Sequence, residues 1–310
     1  MADVLTERVS SPGLRPVDPG FWPVDKVCLY FLAGTTVLLA GYWTQVPEAP
    51  WLLAVHLACA ALIVLASRDK NPALQVSPAV WYFRNWYPLP LVSFCYKEMA
   101  ILIPAVWGRS FDGLLADLDF AIWRTNPTVW LERILTPWLT LSLQTIYTLF
   151  VPAVLLVPWL LWRKRRYAEF RYCAFLIALG YLVSYVGYLI LPARGPRFLL
   201  EPLQRQPIDG GWLVEAMRSM LDKMESAHYD CFPSGHAELT IIAWWISRRI
   251  SPRLSYVYLV YTLCIIFATV YLRYHYTVDL FAAVAVAAVL LAKAPAMYRR
   301  LSGGEATIGT

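Results

Sequence analysis

Residues 251–293 read SPRLSYVYLVYTLCIIFATVYLRYHYTVDLFAAVAVAAVLLAK. Two apolar runs, about 254–272 and 276–293, flank the short polar stretch Arg273-Tyr274-His275. Each run approaches the ~20 mainly apolar residues that a helix needs to cross a bilayer core of about 30 Å. In lipid the backbone must satisfy its own N–H and C=O groups, so runs of this kind fold as helices. Outward from this pair, six more runs lie at about 27–47, 51–67, 88–107, 139–162, 172–191 and 236–250. The second is short, the third carries Lys97 and Glu98, and the sixth opens on His236 and Glu238. The predicted class is an all-α integral membrane bundle of about eight helices.

Composition agrees. Of the 310 residues, 59% are hydrophobic and 15% charged, against roughly 25% charged in soluble proteins. The net charge of +6 does not indicate nucleic acid, because the basic residues cluster at the ends of apolar runs. Trp81, Tyr82, Trp86, Tyr87, Trp159 and Trp162 stand at such ends, where amphipathic rings suit the membrane–water interface. No CxxC pair exists among the six cysteines, which argues against zinc or dithiol chemistry. The first apolar run is too long for the core of a cleavable signal.

With the N-terminus in the cytoplasm and eight alternating spans, 17 of the 27 Lys and Arg fall on the cytoplasmic side and 9 on the other. The positive-inside rule therefore favours this orientation, with both chain ends cytoplasmic. Two long loops then face outward. In the first, about 108–138, Phe111, Leu114, Leu115 and Leu118 recur at helical spacing. They predict a helix lying on the membrane surface or packed on the bundle. The residues after Arg300 read as disordered.

The second loop, about 192–235, carries the chemistry. In CFPSGHAELT (231–240), Ser234 is placed to cap the helix that follows. Gly235 permits close backbone approach, and the free N–H groups of a helix start attract phosphate. His236 in that first turn is placed to hand a proton to a leaving oxygen. In YLRYHYTVDLFAA (271–283), His275 and Asp279 are four residues apart and share a helix face. A carboxylate there fixes the imidazole tautomer and leaves the other nitrogen as a nucleophile. In LPARGPRF (191–198), Arg194 and Arg197 offer guanidinium forks that match phosphate oxygens. Each segment alone also fits a structural role: a capped helix with a packed histidine, a surface His–Asp pair, snorkelling arginines. Three of them at outward helix ends point to one anion site.

These segments resemble the signature of the type 2 phosphatidic acid phosphatase superfamily of integral membrane enzymes. PSGH and the His275–Asp279 spacing match two of its motifs, and Arg194 with Pro196 approximates the end of another. The first motif's lysine would fall near Gly187, and the third motif's arginine on Thr269. Arg273, two residues before His275, is expected to replace that phosphate contact. YHYTVDL and DLDFAIWRTNPTVWLE look more like the inositolphosphotransferase-like branch, with inositol phosphorylceramide and sphingomyelin synthases. The resemblance implies a six-helix core at 88–293. Around it would lie a cytoplasmic segment (1–26), two extra helices (27–87) and a cytoplasmic tail (294–310).

For the site, the resemblance implies that His275 forms a phosphohistidine, Asp279 orients it, and His236 serves as acid and then base. Arg194, Arg197 and Arg273 would hold the phosphate, assisted by the Ser234 and Gly235 backbone. No metal or other cofactor is expected. The implied substrate is a phospholipid or lipid phosphate, with ceramide or diacylglycerol as possible acceptor, and head-group transfer is favoured over hydrolysis. The implied active face is periplasmic, extracellular or lumenal. A transporter or scaffold is the rival class, for which Lys97 and Glu98 are the only midspan charges. Glu238 reads as a buried hydrogen-bonding group, His228, Tyr229 and Asp230 as a loop that can line the pocket, and His56 as structural.

Overall fold

A computed structural model describes residues 15–16, 18–68, 75–224 and 229–303. His228, residues 304–310 of the tail and most of the N-terminal segment lie outside the described residues. Fourteen helices are seen among those described. They are α1 (Pro23–Gly41), α2 (Ala49–Ser67), α3 (Pro78–Trp86), α4 (Pro88–Val106), α5 (Asp112–Trp123), α6 (Pro127–Trp130), α7 (Pro137–Thr148), α8 (Phe150–Arg163), α9 (Tyr167–Ile190), α10 (Pro196–Leu199), α11 (Trp212–Met224), α12 (Gly235–Ser247), α13 (Pro252–Tyr271) and α14 (Thr277–Leu301). Proline stands in the first turn of α1, α3, α4, α7 and α13, where its missing N–H costs nothing. Ser77, Ser234 and Ser251 cap α3, α12 and α13 with their hydroxyls.

The most buried of the long helices, α9, packs against α1, α4, α8, α12 and α14. The least buried, α2, packs on α1. It is also pinned to α4, because His56 Nε2 lies 3.0 Å from Glu98 Oε1 and both side chains are buried. Thr36 Oγ1 meets the other ring nitrogen at 2.8 Å. Glu98 is thus a buried partner of His56, and His56 has the structural place expected for it.

Two of the eight runs differ from expectation. The run at 139–162 is broken into α7 and α8, which meet at Leu149 with a bend of 45°. Pro152 explains the break, since it cannot donate to the carbonyl four residues back and its ring crowds that turn. The run at 236–250 gives α12, whose 13 residues reach only about 20 Å. Six helices among the described residues are long and apolar enough to cross a membrane, or seven with the bent pair. At one end, Lys26 Nζ donates to the Leu301 carbonyl, Arg166 to that of Arg249, and Arg171 pairs with Asp18. At the other, α5 and the segments 192–206, 229–235 and 273–277 are knitted together.

The surface helix exists as α5, but its inward face differs from the apolar stripe. Asp112, Leu115, Ala116 and Asp119 are buried, while Leu114, Leu118, Phe120, Ile122 and Trp123 are exposed. The carboxylates point inward because they have backbone donors to meet there.

Candidate active site

The turn from α13 to α14 places His275. Thr269 O accepts the N–H groups of both Tyr274 and His275. Arg273 takes a left-handed φ of 66°, uncommon for a non-glycine residue. Its guanidinium donates to Glu132 Oε1 (2.8 Å), Gln204 Oε1 (2.9 Å) and the Gln206 carbonyl (2.7 Å). Arg273, expected to contact phosphate, thus sits in a network of protein acceptors. Its terminal nitrogens are engaged with protein acceptors, and it fastens the 204–206 segment to the turn. Burial lowers its pKa, and the nearby Glu132 opposes that shift.

His275 Nδ1 lies 2.8 Å from the Cys231 carbonyl. A carbonyl only accepts, so this nitrogen carries the proton and Nε2 bears the lone pair. Asp279 Oδ2 is more distant, at 3.4 Å from Nδ1. It accepts from the Tyr276 N–H at 2.8 Å and from the Cys231 thiol at 2.9 Å. Asp279 therefore caps α14 and lends its charge to the imidazole from just beyond hydrogen-bond range. Donor atoms of Cys231, His275 and Asp279 all lie within 4.8 Å of one another. Internal hydrogen bonds engage this set, and burial beside Asp279 holds the thiol pKa well above its usual range.

His236 opens α12. Ser234 Oγ accepts from Ala237 N, and Ser234 N donates to the Asp279 carbonyl, which ties the two helix starts together. The ring centroids of His236 and His275 are 5.8 Å apart, a gap that one phosphoryl group bridges. Tyr147 stacks on His236 at 4.4 Å and on Tyr274 at 4.3 Å, and Phe150 covers His236 at 4.3 Å. Glu238 is buried and accepts from the Ser184 hydroxyl at 2.7 Å.

Gly187, where the family's lysine would fall, faces Pro233. A Cβ there would lie 2.2 Å from the proline Cδ. A side chain there would require Pro233 and the loop that presents His236 to shift away from α9.

Arg194, Arg197, Arg218 and Lys97 are among the further cations at this end of the bundle. Arg194 is exposed, with its guanidinium 4.3 Å from the Phe198 ring centroid. Arg197 pairs with Asp222 of α11 at 2.9 Å and lies 5.0 Å from the Tyr274 ring centroid. Arg218, also on α11, lies 5.7 Å from the same centroid, and its Nη1 is buried without a hydrogen-bond partner among the described residues. Lys97 donates to the Met224 carbonyl at the end of α11. Sequence reading passed over Arg218 because α11 falls in a loop of mixed polarity.

Asp112 and Asp119 were also missed as site-builders. Asp112 accepts from the N–H groups of Arg194 (2.8 Å) and Gly195 (2.7 Å). Gly195 needs φ +99°, and a Cβ there would meet the Tyr274 carbonyl at 2.6 Å. Asp119 accepts from the N–H groups of Thr277 and Val278, each at 2.9 Å, and from the Thr277 hydroxyl. A side chain 158 residues away thus caps α14.

A cavity of about 460 Å³ ends on Gly235 and His236. It runs between α4, α8 and α9 beneath α11, past Val92, Val151, Leu155 and Leu221. Its polar contributors include Tyr96, Tyr188 and Asp230.

Residues 121–293 match the family described as the PAP2 superfamily. A stretch of 109 residues is 32% identical to a PA-phosphatase related-family protein of Dictyostelium discoideum. That stretch is 34% of this chain and 20% of the relative, so the match spans about a fifth of the relative's length. No solved structure matches the chain.

Proposed function

The chain belongs to the PAP2 superfamily, and from that premise we propose that it is a membrane phosphotransferase that moves a phospho-head-group onto a lipid alcohol. Membership supports a lipid phosphatase or phosphotransferase, and the apolar helices support an integral, multi-pass protein. The observation that carries the finer reading is the position of His236. It faces His275 across 5.8 Å and also closes the end of a largely apolar cavity. A lipid tail in that cavity would bring its phosphate to His236, with His275 behind it and outside the cavity lining.

The proposed first step is attack by the His275 Nε2 lone pair on phosphorus. The P–O bond to the leaving group breaks, and protonated His236 gives its proton to the departing oxygen. In the second step neutral His236 takes the proton of the incoming hydroxyl, whose oxygen displaces the histidine nitrogen from phosphorus. The Cys231 carbonyl holds the tautomer, and Asp279 stabilises the positive charge that develops on the ring. Arg194, Arg197 and Arg218 hold the phosphate oxygens, with the N–H group of Gly235 assisting. The excess of basic residues at the opposite end favours a cytoplasmic position for that end and a periplasmic, extracellular or lumenal active face.

Hydrolysis is the second reading, favoured by the printed description of the Dictyostelium relative. It shares the first step and uses water in the second. The test is to incubate purified protein with labelled phospholipids, with and without ceramide or diacylglycerol. A new labelled lipid is expected, and His275→Ala abolishes it. Free phosphate as the sole labelled product would overturn transfer in favour of hydrolysis.

A further inference from the structure

Asp230 stands where a phosphate-binding site has least use for an anion. It lines the same cavity as Gly235 and His236, one residue before the Cys231 carbonyl that holds His275. Its backbone is fixed by a bridge to Ala193. Its carboxylate is fixed by the Tyr96 hydroxyl, which donates to Oδ2 at 2.7 Å. No ion pair found among the described residues includes it. Tyr96 belongs to α4, which lies outside the matched segment 121–293.

We propose that Asp230 is a specificity-determining residue: its carboxylate takes a hydrogen-bond donor, a hydroxyl or ammonium group, carried beside the phosphate, and it repels a phosphate monoester dianion. The proposal rests on the phosphotransfer reading above and sharpens it. A diester phosphate carries one negative charge and leaves its head group free to donate. A monoester carries close to two at neutral pH and offers no donor on that side. Two like charges a few ångströms apart in a partly desolvated site repel strongly, whereas a hydroxyl or ammonium donor strengthens the carboxylate's own hydrogen bonding. Burial raises the Asp230 pKa, while the nearby His275 and Arg197 oppose that shift. A buried acid in this position is stabilised by a substrate donor. The site would accordingly select phosphodiester lipids with hydroxyl or amine head groups over phosphatidic acid.

The test uses the full chain in detergent, as wild type, Asp230→Asn and Tyr96→Phe, with His275→Ala as control. The probes are dioctanoyl phosphatidic acid, phosphatidylglycerol and phosphatidylethanolamine. For Asp230→Asn, kcat/KM on phosphatidic acid should rise about tenfold relative to the two diesters. The phosphatidylglycerol and phosphatidylethanolamine arms separate a hydroxyl from an ammonium preference. Tyr96→Phe, which keeps the charge, should shift the ratio by less than threefold. A ratio unchanged within twofold in Asp230→Asn would overturn the proposal, as would equal losses on all three lipids. Calorimetric binding of inorganic phosphate supplies a readout independent of turnover. Asp230→Asn should tighten it about tenfold, also in the His275→Ala background, and unchanged affinity counts against the proposal. Turnover that survives His275→Ala would instead count against the phosphohistidine reading and leave the ratio test intact.

Discussion

His275 Nδ1 has its closest acceptor in the Cys231 carbonyl at 2.8 Å, with Asp279 at 3.4 Å. The spacing of four residues predicts a shared helix face, whereas His275 stands in the turn before α14 and reaches Asp279 from there; the spacing says nothing of the carbonyl, which arrives from 44 positions away. The division of labour has a consequence. Where a carboxylate alone fixes the tautomer of a catalytic histidine, its conversion to an amide costs about 10⁴-fold in kcat. Here a backbone group holds the proton on Nδ1. Asp279→Asn should therefore lower kcat by only about 10- to 100-fold, with KM little changed. A loss near 10⁴-fold in a well-folded variant would return tautomer control to the carboxylate. Among the arginines, sequence assigned Arg273 by proximity to His275. In the fold its left-handed turn directs the guanidinium to Glu132 and Gln204. Arg218, 57 positions from the histidine in sequence, comes to the same aromatic ring as Arg197.

At the scale of elements, legibility followed the physics of each helix. The long spans were readable because a lipid-facing helix is apolar along its whole length. Ser234 was readable as a cap because that signal is local to the helix start. The cap of α14 was not, because the accepting carboxylate is that of Asp119, 158 positions away on α5. The inward face of α5 was not legible for the same reason: its acids Asp112 and Asp119 have distant backbone partners, while Leu114 and Leu118 are exposed. Asp119→Ala should remove acceptors for two backbone N–H groups. Loss of a good N-cap costs ~1–2 kcal/mol, so the variant should melt several degrees lower in detergent. Asp117→Ala, on the exposed side of the same helix, should leave the melting temperature unchanged. Equal melting temperatures for both variants would remove Asp119 as the cap. The bend between α7 and α8 was present in the sequence as Pro152 and was passed over inside a run otherwise suited to a single span.

For the whole molecule, charge density along the sequence predicts eight alternating passages, whereas six helices among the described residues, or seven with the bent pair, are long and apolar enough to cross a membrane. The fold gathers residues on the basic side, such as Lys26, Arg84, Arg166 and Arg171, at one end. It gathers the turns that carry His236 and His275 at the other. The short α12 was the hardest to read as a span. Its first turn belongs to the site, so the apolar stretch begins where the chemistry ends, below the outer rim. Sidedness follows directly. A cysteine introduced at Leu203 should react with a membrane-impermeant maleimide on intact cells, whereas one at Ser302 should react only after permeabilisation. The reverse pattern would invert the orientation.

The central claim is a covalent bond between His275 and phosphorus, formed and resolved with the help of His236. In His236→Ala, an aryl phosphate with a good leaving group should still phosphorylate His275, because its phenolate departs without a proton. Resolution should stall for want of a base. Mass spectrometry of the alkali-stable adduct is then expected to find close to one phosphate per chain on His275. Label on another residue, or turnover of the aryl phosphate by His275→Ala at the wild-type rate, would contradict the account.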